Sequence, residues 1–230
     1  MKMHIGADFV IVVTLMFPTI GNAQGSERSY FHPKLRDKDL VLSKLILLPP
    51  GVEVTKEGVK GNEGMGEESE KAAKQFSIEV SAALTAKGAS VATPFTEEAL
   101  NGSDELRTAV ADVQRQFDEV AAKVFTKRKD VAKGRFSVGD GVALLNTKGD
   151  ADAIVVVRAA GTKETGTKKF MKRGLIGLAA THGKVLYRSR VAIIDAKSGD
   201  ILFLGDYSSW DSPGTKLFEK SFKKLPVKNS

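Results

Sequence analysis

Short apolar runs bounded by turn residues alternate along this chain with longer stretches at helical spacing, and that alternation predicts an α/β domain. Leu45-Ile-Leu-Leu48, closed by Pro49-Pro50-Gly51, is continuously apolar, as expected of a strand buried on both faces. After a glycine-rich, charged loop over 51–66, Ala72, Ala73, Phe76, Val80, Ala83 and Leu84 fall on one helical face, and Lys87-Gly88 supplies a stop. Ala89-Ser-Val-Ala-Thr93 reads as a second short strand ended by Pro94. Ser103 is a good N-cap, with Asp104 and Glu105 where the helix dipole favours negative charge.

The helix that starts there carries Leu106, Val110, Val113, Phe117, Val120 and Val124 at steps of 4, 3, 4, 3 and 4, a narrow apolar seam. Such a seam packs either on the sheet or against a partner helix. Lys123, Lys127, Arg128, Lys129, Lys133 and Arg135 surround the helix end, where positive charge complements the dipole. A further short helix is expected over 138–148. Asp152-Ala-Ile-Val-Val-Val157 is the candidate central strand. Val185, Tyr187, Ser189, Val191 and Ile193 alternate with Leu186, Arg188, Arg190, Ala192 and Ile194, a strand of uneven polarity between its faces. Asp195-Ala-Lys-Ser-Gly199-Asp200 then predicts a turn, Ile201–Tyr207 a return strand, and Ser212-Pro213 the start of a last helix burying Leu217, Phe218, Phe222 and Leu225. The sum is a mixed sheet of about five strands with helices packed on it, class α/β (α+β).

Ahead of this domain, residues 1–23 show a three-part pattern: Lys2, an apolar run from Phe9 to Phe17, and small Gly21-Asn22-Ala23. This predicts a cleaved signal peptide, with cleavage near Ala23 and a periplasmic or secreted product, peripheral to a membrane at most. The apolar run is about half of the roughly 20 residues that a spanning helix needs. Residues 24–43 lack a sustained period and are expected to form an extended lead-in, with a single domain over 44–226. The chain has no cysteine, which excludes disulfides and thiolate metal sites. Its formal net charge of +7 gives a basic surface, open to anionic lipid, glycan phosphate such as that of lipopolysaccharide, an acidic protein or nucleic acid.

Candidate chemistry is sparse. Gly161-Thr-Lys-Glu-Thr-Gly166-Thr-Lys168 nearly matches a phosphate-binding loop, but Thr167 intervenes where the lysine must directly follow the second glycine. Past the predicted signal peptide only His32 and His182 remain, too far apart in sequence to suggest a metal or base pair. No catalytic residue, cofactor or metal is predicted. The most suggestive stretch is basic and amphipathic: Lys163, Lys168, Lys169, Lys172 and Arg173, with Phe170 and Leu175 on the apolar side, form a candidate contact for an anionic or membrane surface. The seam from Leu106 to Val124 is the candidate protein contact.

Lys44-Leu-Ile-Leu-Leu-Pro-Pro50, Gly88–Thr93, Gly149–Val157 and Val191-Ala-Ile-Ile-Asp-Ala-Lys-Ser-Gly-Asp-Ile-Leu-Phe203, taken in order, resemble the CsgG-type curli-assembly lipoproteins and their envelope relatives, LpoB and the N-terminal domain of TolB. The most specific piece is the last, a strand ending in Asp, a Ser-Gly-acid turn and an apolar return strand. The resemblance implies a fold like the anticodon-binding domain, an envelope location, and a non-enzymatic role in assembly or transport through protein contacts, with oligomers common; for a chain in that compartment no nucleic-acid partner is expected. The chain departs from that family in having no lipobox cysteine and no pair of amphipathic strands suited to a membrane barrel.

Overall fold

A computed structural model describes residues 26–58, 61–124, 126–127, 133–164, 185–210 and 214–227. Its centre is a mixed sheet in which β7 (Val185–Asp195) runs antiparallel to both its neighbours, β6 (Ala153–Glu164) and β8 (Ile201–Trp210). On the far side of β8 lies β1 (Ser26–Phe31), antiparallel to it. On the other side of β6 two strands dock end to end and parallel to it. β2 (Lys44–Leu47) pairs with Ala153–Val155, and β3 (Gly51–Gly58) pairs with Arg158–Glu164. β5 (Ser90–Ala92) extends the sheet beyond β2, and β4 (Gly61–Gly64) beyond β3.

Two apolar layers sandwich the sheet. On one face α2 (Gly66–Ala86) and α5 (Thr215–Phe222) bury Phe76, Val80, Phe218 and Phe222 against Leu45, Val155, Val157, Ile193 and Phe203. Edge-to-face ring pairs, Phe76 with Tyr187 at 5.6 Å and Tyr207 with Phe218 at 5.3 Å, knit this layer. Buried Glu79 accepts hydrogen bonds from Gln75 Nε2 at 2.6 Å and from Gly214 N at 3.1 Å, which ties α2 to the start of α5. On the other face lies α4 (Asp104–Val124), preceded by α3 (Glu97–Asn101). A 3₁₀ turn, Asp140–Leu145, completes that layer. The Ser103 hydroxyl caps α4 by accepting from Leu106 N at 3.2 Å, as the sequence predicts.

The turn between β7 and β8 also follows the sequence. Asp195 Oδ1 accepts from Lys197 N and Ser198 N, and Gly199 adopts φ 72°, a conformation that side chains disfavour. Asp152 fixes the start of β6, beside that turn: its carboxylate accepts from Ser43 N at 2.7 Å and Lys44 N at 2.8 Å, which sets the β2–β6 register.

Four expectations are corrected. The described part of the 24–43 lead-in, residues 26–43, does not lie outside the domain: β1 pairs along β8, α1 (Pro33–Arg36) follows it, and Leu35 and Leu42 are fully buried. His32 is also enclosed, capping α1 by accepting from Lys34 N at 3.1 Å. The predicted loop 51–66 contains β3 and β4, and among the described residues the sheet has eight strands rather than about five. The last helix has Gly214, not Ser212, at its N-cap.

Candidate functional site

α4 covers only part of its face of the sheet. Where it lies, Tyr30, Ile154, Val156, Ala192, Ile194 and Leu204 are buried. One step of two residues further along each strand, the same face carries Arg28, Arg158, Arg190 and Asp206. These four stand in one register row with Gly51, because Arg28 is opposite Asp206, Asp206 opposite Arg190, Arg190 opposite Arg158 and Arg158 opposite Gly51. The next row on that face is Ser208, Arg188, Ala160 and Glu53. Strand alternation puts Trp210, Leu186 and Thr162 in the row after that.

The first two rows and Asp118 of α4 line an open cleft of about 770 Å³. Arg158 is held at its edge. Its Nε donates to both Asp118 carboxylate oxygens, at 3.2 and 3.0 Å, and its Nη2 lies 2.8 Å from Oδ2. Gly51 makes room for it: a Cβ there would stand 1.8 Å from Arg158 Nη1. Arg190 Nε lies 3.9 Å from Asp206 Oδ1, an ion pair but too long for a hydrogen bond. Arg28 and Arg188 are exposed, and their side chains have no hydrogen bond or ion pair with any described residue. Four arginines face three carboxylates in the cleft, and the two pairings above leave two guanidiniums against Glu53 alone. Such a surface suits bidentate contacts to carboxylate or phosphate oxygens.

One titrating group borders the covered side. Burial, and secondarily the nearby Asp200 carboxylate, push the Tyr30 phenol from 10.0 up to about 12, while Arg36 opposes the shift. Its hydroxyl has no hydrogen-bond partner among the described residues.

The residues singled out from sequence lie elsewhere. Val110, Val113, Phe117 and Val124 are buried beneath α4, and half-buried Leu106 and Val120 pack on the same cluster, so the seam is spent on the chain's own sheet and is not a free partner surface. Lys163 belongs to β6, opposite Val185, and by alternation points to the face away from the arginine rows. Lys168, Lys169, Phe170, Lys172, Arg173 and Leu175 lie outside the described residues, as does His182. Gly161 of the near-match phosphate loop sits within β6, covered by the Tyr187 ring. Among the described residues no group of three or more His, Cys, Asp or Glu side chains is placed to hold a metal ion, and no helix is long and apolar enough to cross a membrane.

The arginine rows were missed although their signal was in the sequence. Arg188 and Arg190 alternate with Tyr187, Ser189 and Val191, the uneven strand noted above, and Arg28 stands two residues before Tyr30.

Fold and cleft together define an α/β domain whose mixed sheet is covered by helices on one face and only partly on the other. No family model matches the chain, and no curated protein matches it. Among solved structures it is similar to a PelC dodecamer from Paraburkholderia phytofirmans, with 12% identity over 89% of this chain and 99% of that one at a TM-score of 0.41. It is also similar to a neuraminyllactose-binding hemagglutinin homolog from Helicobacter pylori, over 79% and 78% of the two chains with 12% identity and a TM-score of 0.33. Likenesses of this depth carry no argument about function, nor about the family resemblance drawn from the sequence motifs.

Proposed function

We propose that this chain is a non-enzymatic exported protein of the cell envelope, and that it holds a protein partner on the open half of its sheet, acting in assembly or transport. The observation that carries the reading is the unneutralised pair Arg28 and Arg188, exposed on a surface whose neighbours Arg158 and Asp118 are already fixed in place. The fixed Arg158–Asp118 pair favours binding beside it, because little of its side-chain freedom is lost on contact. Export is supported by the Lys2, Phe9–Phe17 and Gly21–Ala23 pattern. The envelope role is supported by the motif resemblance to the CsgG-type lipoproteins, which also makes a second copy of the chain a natural partner.

Two measurements test the two parts. Fractionation of cells expressing the full chain with a C-terminal tag, followed by mass spectrometry, should find a product trimmed near Ala23 in the envelope or periplasmic fraction. A product starting at Met1 in the cytosol would end the envelope reading. Pull-down from envelope extract should recover a partner with the wild-type chain and lose it with Ala160→Tyr, which fills the exposed middle of the second row without touching the core. Equal recovery by both chains would move the contact to another surface.

A further inference from the structure

The two unpaired arginines do not look alike in sequence, yet the sheet places them as a pair. Arg28 is on β1 and Arg188 on β7, flanking β8, with Asp206 opposite one and Ser208 opposite the other. Two strand spacings of about 4.8 Å and one two-residue step of about 6.8 Å put their Cα atoms roughly 12 Å apart. Side chains stand roughly perpendicular to a sheet, so the guanidiniums begin about as far apart as their Cα atoms. An anion of one group meets one fork; a short chain of anionic groups meets both.

The built-in carboxylates narrow the ligand further. Asp118, Asp206 and Glu53 already stand in the cleft, and an incoming carboxylate is chemically their equal. A phosphate group brings more charge and three acceptor oxygens, and therefore competes better for the same guanidinium. The Ser208 hydroxyl, directly opposite Arg188, is a further donor for such oxygens.

We infer that the open half of the sheet is a binding site for a ligand carrying two or more phosphate groups, one held by Arg28 and one by Arg188, across β8 and beside the Arg190–Asp206 pair. The inference rests on the proposal that this half is the working surface. It adds a ligand chemistry that a protein partner does not require. The phosphates come either from a free oligophosphate or from neighbouring lipid headgroups, and the experiment separates these.

Trp210, the chain's one tryptophan, is half-buried in the next row beyond Arg188 and serves as an internal fluorescence reporter. Titration of the full chain with inorganic tripolyphosphate should change its emission saturably, and inorganic monophosphate should bind at least about tenfold more weakly. Arg28→Gln and Arg188→Gln should each weaken tripolyphosphate binding about tenfold, a loss of about 1.4 kcal/mol apiece, with the double variant weaker still. Neither side chain is paired with a described residue, so folding should persist, as circular dichroism would verify. Lys44→Gln removes the same charge at the opposite end of the sheet, where Lys44 pairs with Asp150, and should leave the affinity unchanged. Wild-type affinity in the double variant, an equal loss in Lys44→Gln, or equal binding of monophosphate would each overturn the site.

Cosedimentation with phosphatidylcholine vesicles doped with phosphatidylglycerol supplies the second arm. Retention that the double variant abolishes and tripolyphosphate displaces supports lipid headgroups as the source; saturable tripolyphosphate binding without retention supports a free oligophosphate. If tripolyphosphate fails to bind while Ala160→Tyr still loses its protein partner, the phosphate site is wrong and the proposed function stands. If tripolyphosphate binds and no partner depends on Ala160, the reverse holds.

Discussion

The two halves of the α4 face are made by the same four strands, with the same alternation, yet they share almost no chemistry. Across one register step Tyr30 gives way to Arg28, Leu204 to Asp206, Ala192 to Arg190 and Val156 to Arg158. The first of each pair is buried and the second is not. No strand changes its conformation at that line; what changes is whether α4 lies above it. The lesson is that the extent of a covering helix, rather than the strands themselves, decides where a sheet face stops being core and becomes surface.

The largest effect should come from carrying the open half's chemistry across the line. Val156→Arg would bury an unpaired charge, at a cost of several kcal/mol and enough to unfold an ordinary domain. Soluble, folded protein with a native circular dichroism spectrum would show that α4 does not seal the covered half. Phe117→Ala, which removes a fully buried ring from beneath α4, should cost about 3–5 kcal/mol in chemical denaturation. A loss under about 1 kcal/mol would mean the helix barely packs there.

Tyr30 sharpens the boundary through pH. Its folded pKa of about 12 lies above the ordinary 10.0, so the folded state holds the phenol proton more tightly than the unfolded chain does. Its contribution is complete below pH 10 and is lost as pH rises through 12, at about 1.4 kcal/mol per unit. The difference in stability between wild type and Tyr30→Phe should therefore shift against wild type above pH 10. A difference that stays flat to pH 12 would place Tyr30 on the wet side of the line.

The smallest effect belongs to the open half. Arg190→Leu and Asp118→Ala each remove one partner of a partly exposed ion pair, and each should change stability by no more than about 1 kcal/mol. A loss of several kcal/mol from either would mean that the arginine rows hold the fold together, and would undercut their assignment as a working surface.

The same boundary explains how much could be read from the sequence. Leu45–Leu48, Ile154–Val157 and Ile201–Leu204 announced strands because both their faces are covered, which makes every residue apolar. β1 went unseen because Ser-Glu-Arg-Ser-Tyr-Phe carries its only large apolar residues, Tyr30 and Phe31, at one end. β6 was expected to stop at Val157, where its open-face positions turn to Arg158, Ala160 and Thr162, and β3 was lost among Glu53, Lys56 and Glu57. Helix α4 was legible from its seam, although spacing alone left open whether the seam served the sheet or a partner. The candidate site was hidden for a related reason: its arginines come from three strands far apart in the chain, and only the sheet's register assembles them.

One consequence follows from the way β2 and β3 divide a single side of β6 at Pro49-Pro50. The two lengths of β6 can part from their neighbours separately, because no continuous strand bridges them on that side. A bound ligand would then slow amide exchange along Arg158–Glu164 and leave Ala153–Val157 as it was, so the seam between two short strands sets how far occupancy is felt.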